Sequence, residues 1–180
     1  MGKILKIGIP VAFQDGLIQI AFIVITIIAN QRGLNDAAAV GIVEKVISFL
    51  FLVPSSMLST VSALGAQNIG AGKPGRAVQT LRYAIMLAAG FGVLATVTVQ
   101  FIAEPIVALF TDPSTANGAE VVRFGGQYLR GYIFDCIFAG IHFSFSGYFC
   151  ACGKSGLSFL HNIAAIALVR VPGVYLTSRL

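Results

Sequence analysis

Long uncharged runs alternate with short polar connectors along this chain. No charged residue lies between Lys45 and Lys73, and none lies between Arg82 and Glu104. Two further runs, Lys6 to Arg32 and Arg130 to Lys154, are each broken by one carboxylate, Asp15 and Asp135. A bilayer core about 30 Å thick takes roughly 20 apolar residues per helical crossing, which is the scale of these runs. The pattern predicts an all-α, polytopic transmembrane helix bundle with five spans, near residues 7–29, 37–66, 76–110, 120–152 and 156–178. Asn30 to Gly33 read as a turn. Asp36 reads as the N-cap of the second span, and Pro54 inside it predicts a kink. Pro74 suits a first helical position. Residues 111–119 read as an aqueous loop.

Composition supports lipid as the solvent. The chain is 57% hydrophobic and 11% charged, with a mean hydropathy of +0.87. So little charge does not cover the surface of a soluble domain of 180 residues. No basic tract with interleaved aromatics is present, so nucleic acid is not an expected partner. Cys136, Cys150 and Cys152 lack the partners of a zinc site and read as packing residues. The first apolar stretch reads as a span, not as a cleaved signal peptide.

The net charge of +5 is unevenly placed. Lys3 and Lys6, then Lys73, Arg76 and Arg82, then Lys154 fall on alternate connectors. Glu104, Asp112 and Glu120 fall on the opposite side with Arg123. The positive-inside rule places the N-terminus and the 67–76 connector in the cytoplasm, in a bacterial-type plasma membrane. Five spans are an odd count, and the chain is expected to be a fragment of a longer protein.

The connector Gln67-Asn68-Ile69-Gly70-Ala71-Gly72-Lys73-Pro74-Gly75-Arg76-Ala77 superficially suggests a phosphate loop. Gln67 stands where the first glycine is required, Pro74 replaces the magnesium-binding hydroxyl, and no strand precedes it. Physically it is a tight inter-helix turn: glycines end one helix, Pro starts the next, and basic residues anchor it at the membrane face.

The same segment resembles the cytoplasmic loop in the C-terminal half of multidrug and toxic compound extrusion (MATE) transporters. Leu5 to Pro10 look like the start of the family's seventh helix. Ala37-Ala38 with Lys45 and Phe49 to Pro54 look like its eighth, and Tyr128 to Ser155 like its tenth and the following turn. Val169 to Pro172 look like the eleventh. The resemblance implies about five of the six helices of one lobe, with the N-terminal lobe of the same transporter as the missing partner. It implies a cation-coupled multidrug efflux antiporter of small, organic, cationic substrates. The coupling ion is H+ or Na+, and no other cofactor is expected.

Asp135 is the foremost candidate. A carboxylate at a helix centre costs roughly 2.5–3.5 kcal/mol on insertion scales, and its position resembles the tenth-helix acid used for cation coupling. Asp15, flanked by Gln14 and Gln19, is a second candidate for a shared Na+ or H+ site with Asp135, since hard cations take oxygen ligands. Some family members carry a Glu on this helix about one turn further on, where this chain has Ile18 and Gln19. His142 follows Asp135 by seven residues, two helical turns, and offers a proton relay. Glu44 and Lys45 point about 100° apart, so at most one lines a cavity while the other reaches the interface. Gln67, Asn68, Gly70, Gly72, Lys73 and Arg76 carry the loop motif. Ala84, Ala88, Gly92 and Thr96 form a small-residue stripe for close helix contact. The aromatics from Phe134 to Phe149 line a drug cavity or face lipid.

Two rivals stand beside efflux. A flippase of lipid-linked or polysaccharide precursors shares the two-lobed build, with a more cationic cavity than Lys45 and Arg170 supply. A membrane-embedded enzyme needs a metal triad or acid–base set, and Asp135 with His142 is the one local pair; the chain is not expected to be an enzyme.

Overall fold

The computed structural model describes residues 33–165 continuously, together with scattered helical positions between Gly8 and Ile27. The continuous part holds six helices: α1 (Leu34–Leu50), α2 (Leu52–Gly70), α3 (Pro74–Ala108), α4 (Ala116–Tyr132), α5 (Asp135–Ala151) and α6 (Ser155–Ala165). Among the described residues there is no strand. The runs Leu34–Gly70 and Pro74–Ala108 are long and apolar enough to cross a membrane, and α4 with α5 adds a third crossing if the pair, bent by 42°, is one span. The fold is the all-α bundle that the hydrophobic pattern predicts.

Residues 37–66 are expected as one span kinked at Pro54, and they lie in the helical run Leu34–Gly70, which a turn at Phe51 divides into α1 and α2. Proline has no N–H to donate and its ring clashes with the carbonyl four residues back, here that of Leu50. The break therefore falls one turn ahead of the proline. Phe51 N–H still reaches the Ile47 carbonyl at 2.8 Å, and Ser55 N–H reaches that of Phe51 at 2.9 Å. Asp36 is not the N-cap. Gly33 holds that position, and Asp36 lies in the first turn, where its charge suits the positive end of the helix dipole.

Residues 120–152 are expected as one helix and are instead α4 and α5, parted at Ile133 and Phe134. No proline marks this break. Contacts from α3 take up its carbonyls: Gln100 Nε2 donates to Arg130 O at 3.1 Å, and Thr96 Oγ1 to Ile133 O at 3.4 Å. α4 also starts earlier than the expected loop allows. The Thr115 hydroxyl caps it by accepting from Gly118 N–H at 3.1 Å.

α2 and α5 end identically. Gly72 and Gly153 adopt φ of 70° and 71°, the left-handed region that glycine enters without strain. Gly72 N–H bonds to Ile69 O at 3.0 Å, and Lys73 N–H bonds to Asn68 O at 2.9 Å. Gly153 N–H bonds to Cys150 O and Lys154 N–H to Phe149 O, both at 2.9 Å. Both are Schellman motifs, each followed at once by a new helix.

The contacts divide the chain into two compact units. One comprises Gln19–Ser56 and Ile85–Ile141. In it α1 packs on α4, and α3 runs antiparallel to α4 and the first turns of α5. The ladder is regular: Val107 with Gly125, Glu104 with Gly126, Gln100 with Arg130, Thr96 with Ile133, Gly92 with Ile137, Ala88 with Gly140. The expected small-residue stripe on α3 is thus its packing face from Ala88 onward. Val43, Ile47, Val99, Val107, Leu129 and Ile133 form the core. On the opposite side of α3, Leu87, Leu94 and Phe101 are exposed by 66% or more, as suits a face turned to lipid.

The other unit comprises Met1–Ile18, Met57–Ala84 and His142–Leu180. Here α2 and α5 run parallel and in close contact. Gly147 backs onto Leu58 and Val61, and a Cβ on Gly65 would lie 2.8 Å from Ala151 Cβ. Parallel helices bring the two Gly-Lys turns to the same end of this unit.

Candidate functional site

Asp135 is the first residue of α5 and is partly buried. It is not at the middle of a continuous helix, as its place in the uncharged run suggests. It begins a half-helix, where the positive end of the dipole lies beside a carboxylate, while Cys136 N–H and Ile137 N–H bond to Ile133 O and Phe134 O at 3.0 and 3.2 Å. One turn earlier the backbone is clamped to α3. Arg130 Nε donates to Gln100 O at 3.2 Å, Gln100 Nε2 returns a bond to Arg130 O, and Arg130 Nη2 lies 3.2 Å from Glu104 Oε1. Two residues later Ile137 sits against Gly92, where a Cβ would come within 2.8 Å of Ile137 Cα. Asp135 is therefore bracketed by two fixed contacts on the same neighbouring helix.

Glu44 is partly buried on α1 and its Oε1 accepts from Thr26 Oγ1 at 2.8 Å. Lys45 is exposed, so the two diverge as their adjacency dictates. Asp15 and Gln14 lie outside the described residues. His142 on α5 places Nε2 3.1 Å from Asn162 Oδ1 on α6 and stacks on His161 with ring centroids 4.4 Å apart. His142 and Asp135 belong to different compact units.

In the loop motif, Gln67, Gly70, Gly72, Lys73 and Arg76 are exposed. The Asn68 side chain donates back to Leu64 O at 2.8 Å. The segment is a helix-terminating turn, as its residues indicate. Of the aromatics on the fourth span, Phe134, Phe138 and Phe145 are exposed by 51%, 67% and 38%. Among the described residues no group of three metal-binding side chains converges. A cavity of about 470 Å³ lies between the starts of α1 and α4, with Asn35, Asp36, Asn117, Glu120 and Phe124 in its wall. Asn35 Nδ2 donates to Glu120 Oε2 there at 2.7 Å.

Sequence reasoning missed Thr26, Gln100 and Asn162, and read Thr96 as a packing residue without its hydrogen bond to Ile133 O. Each is a small or amide polar residue in an apolar helix, a pattern that marks interhelical bonding without naming the partner.

An all-α chain with helices long enough to cross a bilayer, and a carboxylate where a broken span restarts, has the build of a polytopic membrane transporter. The family model named MatE matches residues 10–176, and the chain belongs to this family of integral membrane transporters. It is 26% identical over 169 residues to the probable multidrug resistance protein YpnP of Bacillus subtilis, covering 94% of this chain and 37% of YpnP. It is 31% identical over 112 residues to a FAD transporter of Shewanella oneidensis, covering 62% and 25% of the two chains. It is 29% identical over 136 residues to the probable multidrug resistance protein NorM of Aromatoleum aromaticum, covering 74% and 29%. The chain thus spans between a quarter and just over a third of these relatives. No solved structure gives a significant match.

Proposed function

We propose that this chain is one partial lobe of a cation-coupled multidrug efflux antiporter, in which Asp135 binds the coupling ion. The observation that carries the reading is the restart of the broken span at Asp135, inside a run otherwise free of charge from Arg130 to Lys154. Broken helices supply ion sites in transporters because their ends expose backbone dipoles at membrane depth. H+ and Na+ are both ions that a carboxylate binds through oxygen. The names of the multidrug relatives support organic drugs as substrates, and exposed rings such as Phe138 suit organic cations. The N-terminus and the 67–76 turn are assigned to the cytoplasm from the charge asymmetry. Alternating access needs one lobe to rock against another, so the 180-residue chain by itself should not export drugs.

The test uses the two-lobed parent in vesicles. Ethidium efflux driven by an imposed H+ or Na+ gradient is expected from the parent and is lost in Asp135→Asn, which keeps the shape but cannot ionise. Wild-type rates and ion dependence in that variant contradict the coupling role. A second reading, export of an anionic dinucleotide, has one observation behind it: the relative at 31% identity is named a FAD transporter. Transport of FAD but not of ethidium by the same vesicles selects it.

A further inference from the structure

α6 is inside out. Its buried positions Ser155, Ser158 and Asn162 are polar, at 4%, 0% and 3% exposure, while Leu157 and Leu160 are exposed by 47% and 62%. The facing side of α5 carries His142, Ser146 and Cys150 at four-residue spacing, one stripe of the helix. The two rows meet. His142 Nε2 pairs with Asn162 Oδ1 at 3.1 Å, and the Cys150 thiol bonds to Ser158. A polar seam therefore runs along α5 and α6 from the Gly153–Lys154 turn to the stacked pair of His142 and His161.

Polar residues between membrane helices often serve as hydrogen-bonding glue, but glue is satisfied, and this seam is not. Ser146 Oγ and Asn162 Nδ2 are buried without a hydrogen-bond partner. Elsewhere helical hydroxyls here bond back to their own helix: Ser48, Thr80, Thr96 and Thr98 each reach the carbonyl four residues earlier at 2.7–3.0 Å. Ser146, with 0% exposure, does not use that route. Two unsatisfied groups beside an imidazole pair make the kind of polar site that holds ordered water.

We propose that the α5–α6 seam is a water-holding track connecting the Gly153–Lys154 turn to the partly buried His142, giving that imidazole a route to bulk solvent along the seam. It does not depend on the coupling role of Asp135. The test is reaction of thiols with silver ion, which is small and does not dissolve in hydrocarbon, on the full chain in lipid vesicles. The readout is thiol protection measured by mass spectrometry. Cys150 is followed in a Cys136→Ala, Cys152→Ala background, and Ser146→Cys in a background free of native cysteines. Exposed Cys152 is the positive control, and Val61→Cys, at a fully buried apolar site on α2, is the negative one. Both seam positions should react at least about 10-fold faster than Val61→Cys, since thiolate chemistry requires water. Rates equal to that control overturn the proposal. So does reaction at Cys150 alone, because water then stops short of His142. The Cys150 measurement alters nothing within the seam, so misfolding of Ser146→Cys leaves the test intact.

Discussion

Gly90 and Gly92 are two residues apart on α3, yet alanine should act on them in opposite directions. A Cβ at Gly92 would lie 2.8 Å from Ile137 Cα, 2.9 Å from its Cγ1 and 3.1 Å from its N, whereas one at Gly90 meets nothing within 4 Å. Two of the three Gly92 neighbours are backbone atoms, which cannot rotate away. Overpacking of this kind costs about 1–3 kcal/mol. Alanine gains about 1 kcal/mol over glycine in a helix interior at either site. The propensity gain cancels in the comparison, so Gly92→Ala should be less stable than Gly90→Ala by about 1–3 kcal/mol. Reversible unfolding of both variants in mixed micelles, followed by circular dichroism, measures the difference. Equal stabilities would refute the close contact that holds the first turn of α5, and with it the bracketing of Asp135. Gly92→Ala should also disturb transport by the parent more than Gly90→Ala, because it moves Ile137, two residues from the carboxylate.

Gly153→Ala should destabilise by about 1–2 kcal/mol, the cost of a left-handed non-glycine residue, and Gly153→Asn by less; the shift in unfolding midpoint checks it. The Glu104–Arg130 pair is 46% and 36% exposed, so a double-mutant cycle should return a coupling of about 1 kcal/mol or less. Arg130→Ala should cost more than Glu104→Gln, since it also removes the bond to Gln100 O. In the 109–115 connector the Ser114 backbone N–H and hydroxyl hold the Asp112 carboxyl below its ordinary value of 3.8. Its folded-state value is the lower one, so this turn is stabilised above pH 3.8 and loses that support as the pH falls through the folded value. The Ser114 amide resonance should report that loss in wild type and show no such titration in Asp112→Asn.

Much of the bundle is legible in the charge gaps, because lipid forbids unpaired charge over a fixed thickness. The Gly72 turn is equally legible, since its glycines, Lys73 and Pro74 each have a local reason to be there. The breaks are less so. Pro54 acts on the turn before it, which shifts the first break to Phe51. The second, at Ile133 and Phe134, has no local breaker and depends on Thr96 and Gln100, more than 30 residues away in sequence. For the same reason Asp135 looks like a mid-helix residue in the sequence and is the start of a half-helix in the fold. Asn162 and Ser146 become informative when their unpaired atoms are seen. Asp15 and Gln14 lie outside the described residues, so the expected pairing of Asp15 with Asp135 stays a proposal.

Ion movement driven by substrate tests the coupling claim most directly. Vesicles holding the two-lobed parent, with a pH dye and radioactive sodium on known sides and no imposed gradient, are given a drug gradient. Drug moving down its gradient should drive H+ or Na+ the opposite way, and Asp135→Asn should abolish that ion flux while still inserting in the membrane. An unchanged flux in Asp135→Asn would contradict the account.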